Sequence, residues 1–352
     1  MPSYLEIIFI PFDMNNLLIH GDNIAGLEYL LTEVNLKGKI DLVYIDPPFA
    51  TGAAFVVSDG RASTISSARS GDIAYSDKVK GSEFVEEIRK RCILLRELLS
   101  EKGSLYLHTD YKIGHYLKVM IDEVFGVNNF RNDITRVKCN PKNFSRVGYG
   151  NIKDMILFYT KSESPIWNEP RWEYAERDIE KLYPKVDKDG RRYTTVPIHA
   201  PGESANPQPF KGILPPKGRH WRTDVSVLED LDNKGLIEWS AKGNPRKINY
   251  ADESQGKRVQ DVWLDYKDPQ YPKYPTEKNQ DFIDLIIQTS SNSDSIVLDC
   301  YCGSGTTLKS AAENGRKWIG IDSSEIAIKS TKEKIGSQQT LFSPGYDFVE
   351  LD

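Results

Sequence analysis

The sequence has few of the residues that build disulfide frameworks and metal sites. Its 352 residues include four cysteines and five histidines. So few cysteines cannot form a disulfide framework in a chain of this length, and a reducing, cytoplasmic location fits them. Cys300 and Cys302 stand as C-x-C with no second cysteine pair or histidine at ligand spacing, so we expect no metal.

Long apolar runs, a basic leader and two common phosphate-binding motifs are also lacking. No apolar run approaches membrane-spanning length, and the opening SYLEIIFIPF contains Glu6 and no basic residue, which argues against a signal peptide. The patterns G-x-G-x-x-G and G-x-x-x-x-G-K-[ST] are absent. The net charge of −5 argues against a uniformly basic nucleic-acid binder but leaves local basic patches open.

Strand-like and helix-like segments alternate at both ends of the chain. Such alternation, over residues 16–125 and again over 276–335, predicts βαβ units and a largely parallel sheet. The rhythm disappears between about 162 and 268, where five of the six tryptophans stand among many prolines and glycines. We interpret this part as an inserted module of loops and short strands.

Two further stretches are predicted to be irregular and functional. Residues 50–75 are rich in Gly, Ser and Ala, which suggests a mobile lid. Residues 131–153 carry six basic side chains against one acid, which favours contacts with backbone phosphates.

A glycine turn between two acid-tipped strands predicts a nucleoside cofactor. The strand SIVLD ends at Asp299, the turn contains Gly303, Ser304 and Gly305, and the next strand ends at Asp322. Glycines let a ligand approach the backbone, and an acid at the second strand end is placed to accept hydrogen bonds from a ribose diol. Because no diphosphate motif is present, a ribose with a charged amino-acid tail fits best.

The stretch DLVYIDPPF ends a buried strand in an unusually stiff corner. Neither Pro47 nor Pro48 can donate a hydrogen bond to a strand ladder, and they separate Asp46 from Phe49. DPPF at 46–49 and DCYCGSG at 299–305 together resemble the [DNS]-P-P-[YFW] and F-x-G-x-G motifs of site-specific DNA amino-methyltransferases.

The resemblance extends to YPTEK at 274–278 and GRKWIGID at 315–322. The order of the motifs matches the beta class of that family, a circularly permuted arrangement with its target-recognition region between the two halves. Phe49 replaces the commoner Tyr, and DCYC stands where DPF is usual. Neither change removes a required polar group.

The resemblance implies an α/β, Rossmann-like, S-adenosylmethionine-dependent methyltransferase fold with a mostly parallel sheet. Its expected parts are a catalytic half at 1–161, a target-recognition module at 162–268, a cofactor-binding half at 269–340 and a C-terminal tail at 341–352. The implied function is methyl transfer to the exocyclic amine of a flipped adenine in duplex DNA. Asp at position 46 leans toward adenine.

The sequence and the resemblance imply residues for catalysis, for cofactor binding and for DNA binding. The predicted catalytic residues are Asp46, Pro47, Pro48 and Phe49. The predicted cofactor-binding residues are Lys278, Asp299, Cys300, Tyr301, Cys302, Gly303, Ser304, Gly305 and Asp322. The predicted DNA-binding residues are Lys138, Lys142, Arg146, Arg219 and Arg246. For His108, at a strand end, a structural role is favoured over a catalytic one.

Several alternatives stay open at this point. Methylation of the 4-amino group of cytosine is one, and a non-catalytic DNA-binding partner with the same fold is another. Double-stranded DNA is the expected partner. A homodimer and a restriction or specificity partner are compatible with the sequence, and no membrane contact is expected.

Overall fold

A computed structural model describes residues 15–48, 54–58, 61–64, 72–76, 81–141, 145, 147–269, 278–336 and 345–351. For the three short segments between 54 and 76 only the backbone is considered. The chain divides into two compact units. One comprises the residues up to Pro170 and from Gln260 onward, and the other is Arg171–Val259.

The elements alternate in the first unit and are short in the second. The strands are β1 (Asn16–His20), β2 (Ile40–Ile45), β3 (Ala54–Ser58), β4 (Arg61–Thr64), β5 (Asp72–Ser76), β6 (Leu99–Thr109), β7 (Phe130–Val137), β8 (Lys153–Thr160), β9 (Arg171–Trp172), β10 (Lys185–Val186), β11 (Arg192–Pro197), β12 (His199–Pro201), β13 (Arg219–Trp221), β14 (Ile237–Trp239), β15 (Pro245–Tyr250), β16 (Lys257–Arg258), β17 (Val262–Trp263), β18 (Ile296–Asp299), β19 (Lys317–Asp322) and β20 (Tyr346–Glu350). The helices are α1 (Asn23–Thr32), α2 (Ser82–Leu98), α3 (Gly114–Phe125), α4 (Glu176–Leu182), α5 (Val225–Asn233), α6 (Gln280–Ser290), α7 (Thr306–Glu313) and α8 (Glu325–Gly336).

A nine-stranded sheet forms the centre of the first unit. Its order is β17-β7-β8-β6-β2-β18-β19-β1-β20. Neighbouring strands are parallel everywhere except on the two sides of β8. The predicted α/β fold with a mostly parallel sheet is therefore confirmed.

The two predicted motif strands are neighbours in this sheet although they come from opposite ends of the chain. β2 pairs with β18 in parallel, with Leu42 opposite Val297 and Val43 opposite Leu298. The C-terminal ends of both strands therefore meet at one edge of the sheet. This pairing is the geometry expected of a permuted chain.

Helices cover both faces of the sheet. Val43 and Ile45 of β2 face the core that α1, α2 and α3 share, whereas Tyr44 points to the other face and meets Phe282 of α6. From β2 the chain continues to β6 through α2, and from β18 it continues to β19 in the opposite direction through α7. β2 and β18 therefore flank a topological switch point, where open α/β sheets bind ligands.

Three segments differ from their sequence predictions. Residues 130–137 form β7, which pairs with β8, although the stretch 131–153 was predicted to be irregular. Within the predicted tail, Tyr346–Glu350 forms β20 and extends the sheet beside β1. Between 50 and 75, β3 pairs with β4 and β5. On β7 and β20, charged and polar side chains interrupt the apolar alternation from which strands are predicted.

The second unit has its own sheet and a small core. Its four-stranded sheet has the order β10-β11-β15-β14. Ile198, Phe210, Leu228 and Ile237 form the core, and Trp221 packs against it. The boundaries of the unit lie inside the predicted module of 162–268, because β17, after Val259, pairs with β7 of the main sheet.

Candidate active site

Three aspartates lie where parallel strands of the main sheet end. Asp46 follows β2, Asp299 ends β18 and Asp322 ends β19. These strands are adjacent and parallel, so the three carboxyl groups share one edge of the sheet. Asp299 is only 3% exposed. A cluster of acids at the switch point of the sheet, one of them buried, favours a site for a polar ligand.

The glycine turn is held between Asp299 and Asp322, the two acids predicted to bind the cofactor. Gly303 N–H donates to Asp322 Oδ2 at 2.9 Å, and Tyr301 N–H donates to Asp299 Oδ1 at 3.0 Å. Gly305 has a φ of +78°, and a Cβ atom there would lie 2.8 Å from Thr331 Oγ1. The turn therefore needs glycine at position 305 both for its backbone conformation and for space.

The serine and cysteine side chains of the loop are small, and Ser304 is held by a hydrogen bond. Lys334 Nζ donates to Ser304 Oγ and to Thr306 Oγ1, each at 3.0 Å. Burial raises the pKa of the Cys300 and Cys302 thiols well above its ordinary value, so both stay protonated. They behave as small apolar side chains and not as nucleophiles.

Burial also raises the pKa values of the two acids that flank the turn. It raises the pKa of Asp299 to about 7, against the opposing hydrogen bonds from Thr307 and the Tyr301 N–H. It raises the pKa of Asp322 as well, although the N–H groups of Ser324 and Gly303 oppose this. Asp299 therefore changes charge near neutral pH.

Asp299→Asn should stabilise the ligand-free protein in a pH-dependent way. As pH rises from the ordinary value of 3.8 to about 7, the unfolded chain releases a proton that folded Asp299 retains, so the wild type loses stability. Asparagine does not ionise, so the variant does not lose stability in this way. The melting-temperature gain of the variant should grow across that window, to roughly 2–4 °C or more, and stay constant above it. A gain that is equal at pH 4.5, 6 and 8 would contradict the buried ionisation.

Asp46 is held on one oxygen only. Lys278 Nζ lies 2.8 Å from Asp46 Oδ2, and the Asp46 side chain is 15% exposed. Within the described residues, Asp46 Oδ1 is buried and has no hydrogen-bond partner, and His108 Nδ1 lies 3.8 Å away. A buried acceptor without a donor costs about 1–3 kcal/mol, which a ligand N–H can offset.

A buried polar network lies behind Asp46, on the sheet face that α6 covers. His108 Nε2 lies 3.1 Å from Asp154 Oδ2, and His108 Nδ1 lies 2.8 Å from Tyr44 Oη. Lys138 Nζ donates to Asp154 Oδ1 at 2.6 Å. The amino group of Lys138, predicted to contact DNA, thus takes part in this network.

The charges of this network are set by its burial and by the charged groups within it. Burial lowers the pKa of His108, although Asp46 opposes the shift. Burial alone would raise the pKa of Asp154, but His108, Lys278 and Lys138 outweigh it and lower the pKa. Asp154 is thus an acceptor, so neutral His108 donates through Nε2 and accepts the Tyr44 hydroxyl at Nδ1.

Arg136 lies near this buried network and not on the surface, where the sequence predicts it. It was counted among the phosphate-binding side chains of 131–153, but it is fully buried, so that interpretation is wrong for this residue. Its guanidinium lies over the Phe282 ring at 4.5 Å and pairs with Asp268. Ile134 stands two residues earlier on the same strand, so both side chains point to the same face, and both are buried. An apolar residue two positions before Arg136 is the sequence signal that could have indicated this inner face.

The remaining predicted residues are only partly described. Pro47 and Pro48 follow β2 without joining a strand. Phe49, Lys142 and Arg146 lie outside the described residues.

Two predicted DNA-binding arginines belong to the second unit. Arg246 donates from Nε to Thr195 Oγ1 at 2.9 Å and from Nη2 to the Thr195 carbonyl at 2.6 Å. Arg219 Nη1 lies 3.2 Å from His199 Nδ1. Their role in DNA binding stays a prediction.

Residues 40–333 match the model of the N6/N4 DNA methylase family. The chain belongs to this family. The match spans both the DPPF motif and the glycine turn, together with the unit between them. It confirms the resemblance inferred from the motifs.

Three relatives illustrate this DNA methylase family membership. The chain is 39% identical to the type II methyltransferase M.EcaI of Enterobacter cloacae over 326 residues, which cover 91% of this chain and 69% of the relative. It is 26% identical to the type II methyltransferase M.KpnI of Klebsiella pneumoniae, over 92% of this chain and 86% of the relative. It is 26% identical to the StyLTI Mod subunit of a type III restriction-modification enzyme of Salmonella typhimurium, over 83% of this chain and 49% of the relative. The chain thus spans about half the length of that Mod subunit.

Neither a metal centre nor a membrane-spanning helix is found in the described part of this DNA methylase family member. Within the described residues, no cluster of His, Cys, Asp and Glu side chains is arranged to hold a metal ion. In the same part of the chain, no helix is both long and apolar enough to cross a membrane.

Proposed function

We propose that this protein transfers a methyl group from S-adenosylmethionine to the exocyclic amine of a flipped adenine in duplex DNA. The observation that carries the proposal is the juxtaposition of Asp46 with the glycine turn. An unsatisfied carboxylate oxygen lies at the end of β2, and the neighbouring strand β18 leads into a turn that a side chain would block. Membership of the DNA methylase family supports DNA as the substrate.

The residues around the turn fit S-adenosylmethionine. Gly305 has a φ of +78°, which lets the backbone turn tightly where the cofactor would approach, and no diphosphate motif accompanies it. Asp322 is placed to accept hydrogen bonds from a ribose diol, and Asp299 offers a carboxyl group for a cationic amino-acid tail. When bound, S-adenosylmethionine supplies an electrophilic methyl group.

The chain's own residues prepare the target amine. An exocyclic amine is a poor nucleophile because its lone pair is delocalised into the ring. Asp46 and the Pro47 carbonyl accept its two N–H bonds and so favour a more pyramidal nitrogen. The stiff Pro47–Pro48 corner fixes both acceptors before the base arrives, which is positional and electrostatic preorganisation. Phe49 offers a stacking face for the flipped base, worth roughly 1–3 kcal/mol.

Adenine is proposed over cytosine because position 46 is Asp. A carboxylate accepts strongly from an amine, whereas cytosine-directed relatives more often carry Ser there. Duplex DNA is the proposed partner. A restriction partner is also proposed, because one relative is the Mod subunit of a restriction-modification enzyme.

Expression in a methylation-deficient bacterial host tests the function. We expect plasmid DNA from these cells to carry N6-methyladenine at one short recurring sequence. N4-methylcytosine would move the proposal to the alternative base. Unmodified DNA, from cells that contain folded protein, would support the non-catalytic alternative.

The second unit, 171–259, is proposed to read the target sequence. Its separate sheet and core make it exchangeable as a block. Replacing it with the equivalent unit of a relative that has another target should change the methylated sequence and leave cofactor affinity unchanged. Mapping methylated sites in cellular DNA checks this. A folded chimera that keeps the original site would show that recognition lies elsewhere.

A further inference from the structure

Lys278 and Asp46 form an ion pair that is largely withdrawn from water. Lys278 Nζ lies 2.8 Å from Asp46 Oδ2, and the two side chains are 10% and 15% exposed. Exposed ion pairs are usually weak because both side chains move and water screens them. A pair held inside a site has a fixed geometry, and removing either partner leaves a buried charge without compensation.

The amino group of Lys278 lies among several carboxylates. Burial alone would lower the pKa of Lys278, but attraction to Asp46, Asp268 and Asp154 outweighs burial and raises it. Lys278 is therefore an ammonium group at all working pH values. The cofactor-side acid Asp299 also contributes to the negative potential at Asp46.

The other basic groups near Asp46 are engaged elsewhere. His108 Nδ1 is 3.8 Å from Asp46 Oδ1, but its ring nitrogens interact with Tyr44 and Asp154, and burial lowers the pKa of the imidazole. Arg136 pairs with Asp268. Lys278 therefore supplies the positive charge that faces Asp46 most closely.

We infer that Lys278 is a positioning residue that orients the Asp46 carboxylate for the target amine. It holds Oδ2 in place, so the carboxylate cannot rotate freely and its acceptor direction is set before the base enters. This inference rests on the proposed function and deepens it. It differs from the sequence-based prediction, which placed Lys278 on the cofactor.

Two variants of Lys278 distinguish a role in orienting Asp46 from a role in binding the cofactor. Lys278→Met should lower kcat about 100-fold, as expected for a displaced catalytic group, with the cofactor dissociation constant within about threefold of wild type. The acidic limb of the kcat profile should move to higher pH, because Asp46, Asp268 and Asp154, the carboxylates that face Lys278, then lack the opposing ammonium. Lys278→Arg should recover part of kcat.

Lys309→Met is the matched control. Lys309 lies on α7, its Nζ donates to Gln280 Oε1 at 2.6 Å, and its side chain is 26% exposed. The control should leave kcat, its pH profile and cofactor affinity unchanged. Cofactor affinity that falls tenfold or more in Lys278→Met, with kcat unchanged at saturating cofactor, would overturn the inference.

A double-variant cycle tests the pair without using activity. Melting temperatures are measured for wild type, Lys278→Met, Asp46→Asn and the double variant. Lys278→Met should melt lower than wild type, and adding Asp46→Asn should restore part of the loss because the buried charge is removed. Strictly additive changes would overturn the inference. A wild type that binds cofactor but transfers no methyl group to DNA would refute the proposed function instead, and the cycle would still decide the ion pair.

Discussion

Asp46→Asn is expected to lower kcat about 10²–10³-fold while leaving cofactor affinity nearly unchanged. The amide occupies the same volume but removes the negative charge that favours the reacting amine, and loss of one such electrostatic contact typically has this size. Loss of an interaction that is made only in the transition state lowers kcat and kcat/KM together. Single-turnover methylation at saturating DNA and cofactor measures the effect, and calorimetric titration of S-adenosylmethionine measures cofactor binding.

Asp41→Asn is the control for this change. Asp41 lies on β2 as well, but at the opposite end of the strand, where it accepts a hydrogen bond from Ser100 Oγ at 2.8 Å. We expect this variant to methylate DNA at the wild-type rate. An Asp46→Asn enzyme as active as the Asp41→Asn enzyme would remove Asp46 from the mechanism.

Gly305→Val is expected to weaken S-adenosylmethionine binding by roughly tenfold to 100-fold. The new side chain would force a β-branched residue into a φ of +78° and against Thr331, at a cost of about 1–3 kcal/mol, which falls on the turn that receives the cofactor. The melting temperature should fall as well. Calorimetric titration measures the dissociation constant, and thermal melting monitors the fold.

Gly315→Val is the control that separates general backbone strain from damage to the glycine turn at 303–305. Gly315 also has a positive φ, of +73°, but a Cβ atom there meets no other atom within 4 Å, and it lies beyond α7. This variant should lose stability and keep its cofactor affinity. Equal affinities in folded Gly305→Val and Gly315→Val would place the cofactor away from the glycine turn.

Local sequence patterns were sufficient for the elements that carry the motifs. The apolar run before Asp46 and the glycine turn after Asp299 each specify a strand that ends at an acid, and both strands are present. Their parallel pairing followed from the resemblance, because nothing local indicates which strands become neighbours. The site is therefore predictable in its components and less so in its internal contacts.

Contacts between distant segments could not be predicted. Lys278 precedes α6 and meets Asp46 only because α6 covers the face of β2 on which Tyr44 and Asp46 lie. Arg136 looked like one of several exposed basic residues, since its burial depends on β17 and α6 packing around β7. β20 was missed because Asp347 and Glu350 interrupt its apolar pattern, which an edge strand tolerates.

The most direct test of the proposed function asks whether Asp46 is required for methyl transfer to an exocyclic amine of DNA. Purified protein is incubated with duplex DNA and S-adenosylmethionine that carries a deuterated methyl group. The DNA is then digested to nucleosides and analysed by mass spectrometry. We expect labelled N6-methyldeoxyadenosine with wild type and Asp41→Asn, and little or none with Asp46→Asn. Label that is absent from the exocyclic amines with wild type, or equally abundant with Asp46→Asn, would contradict the proposed function.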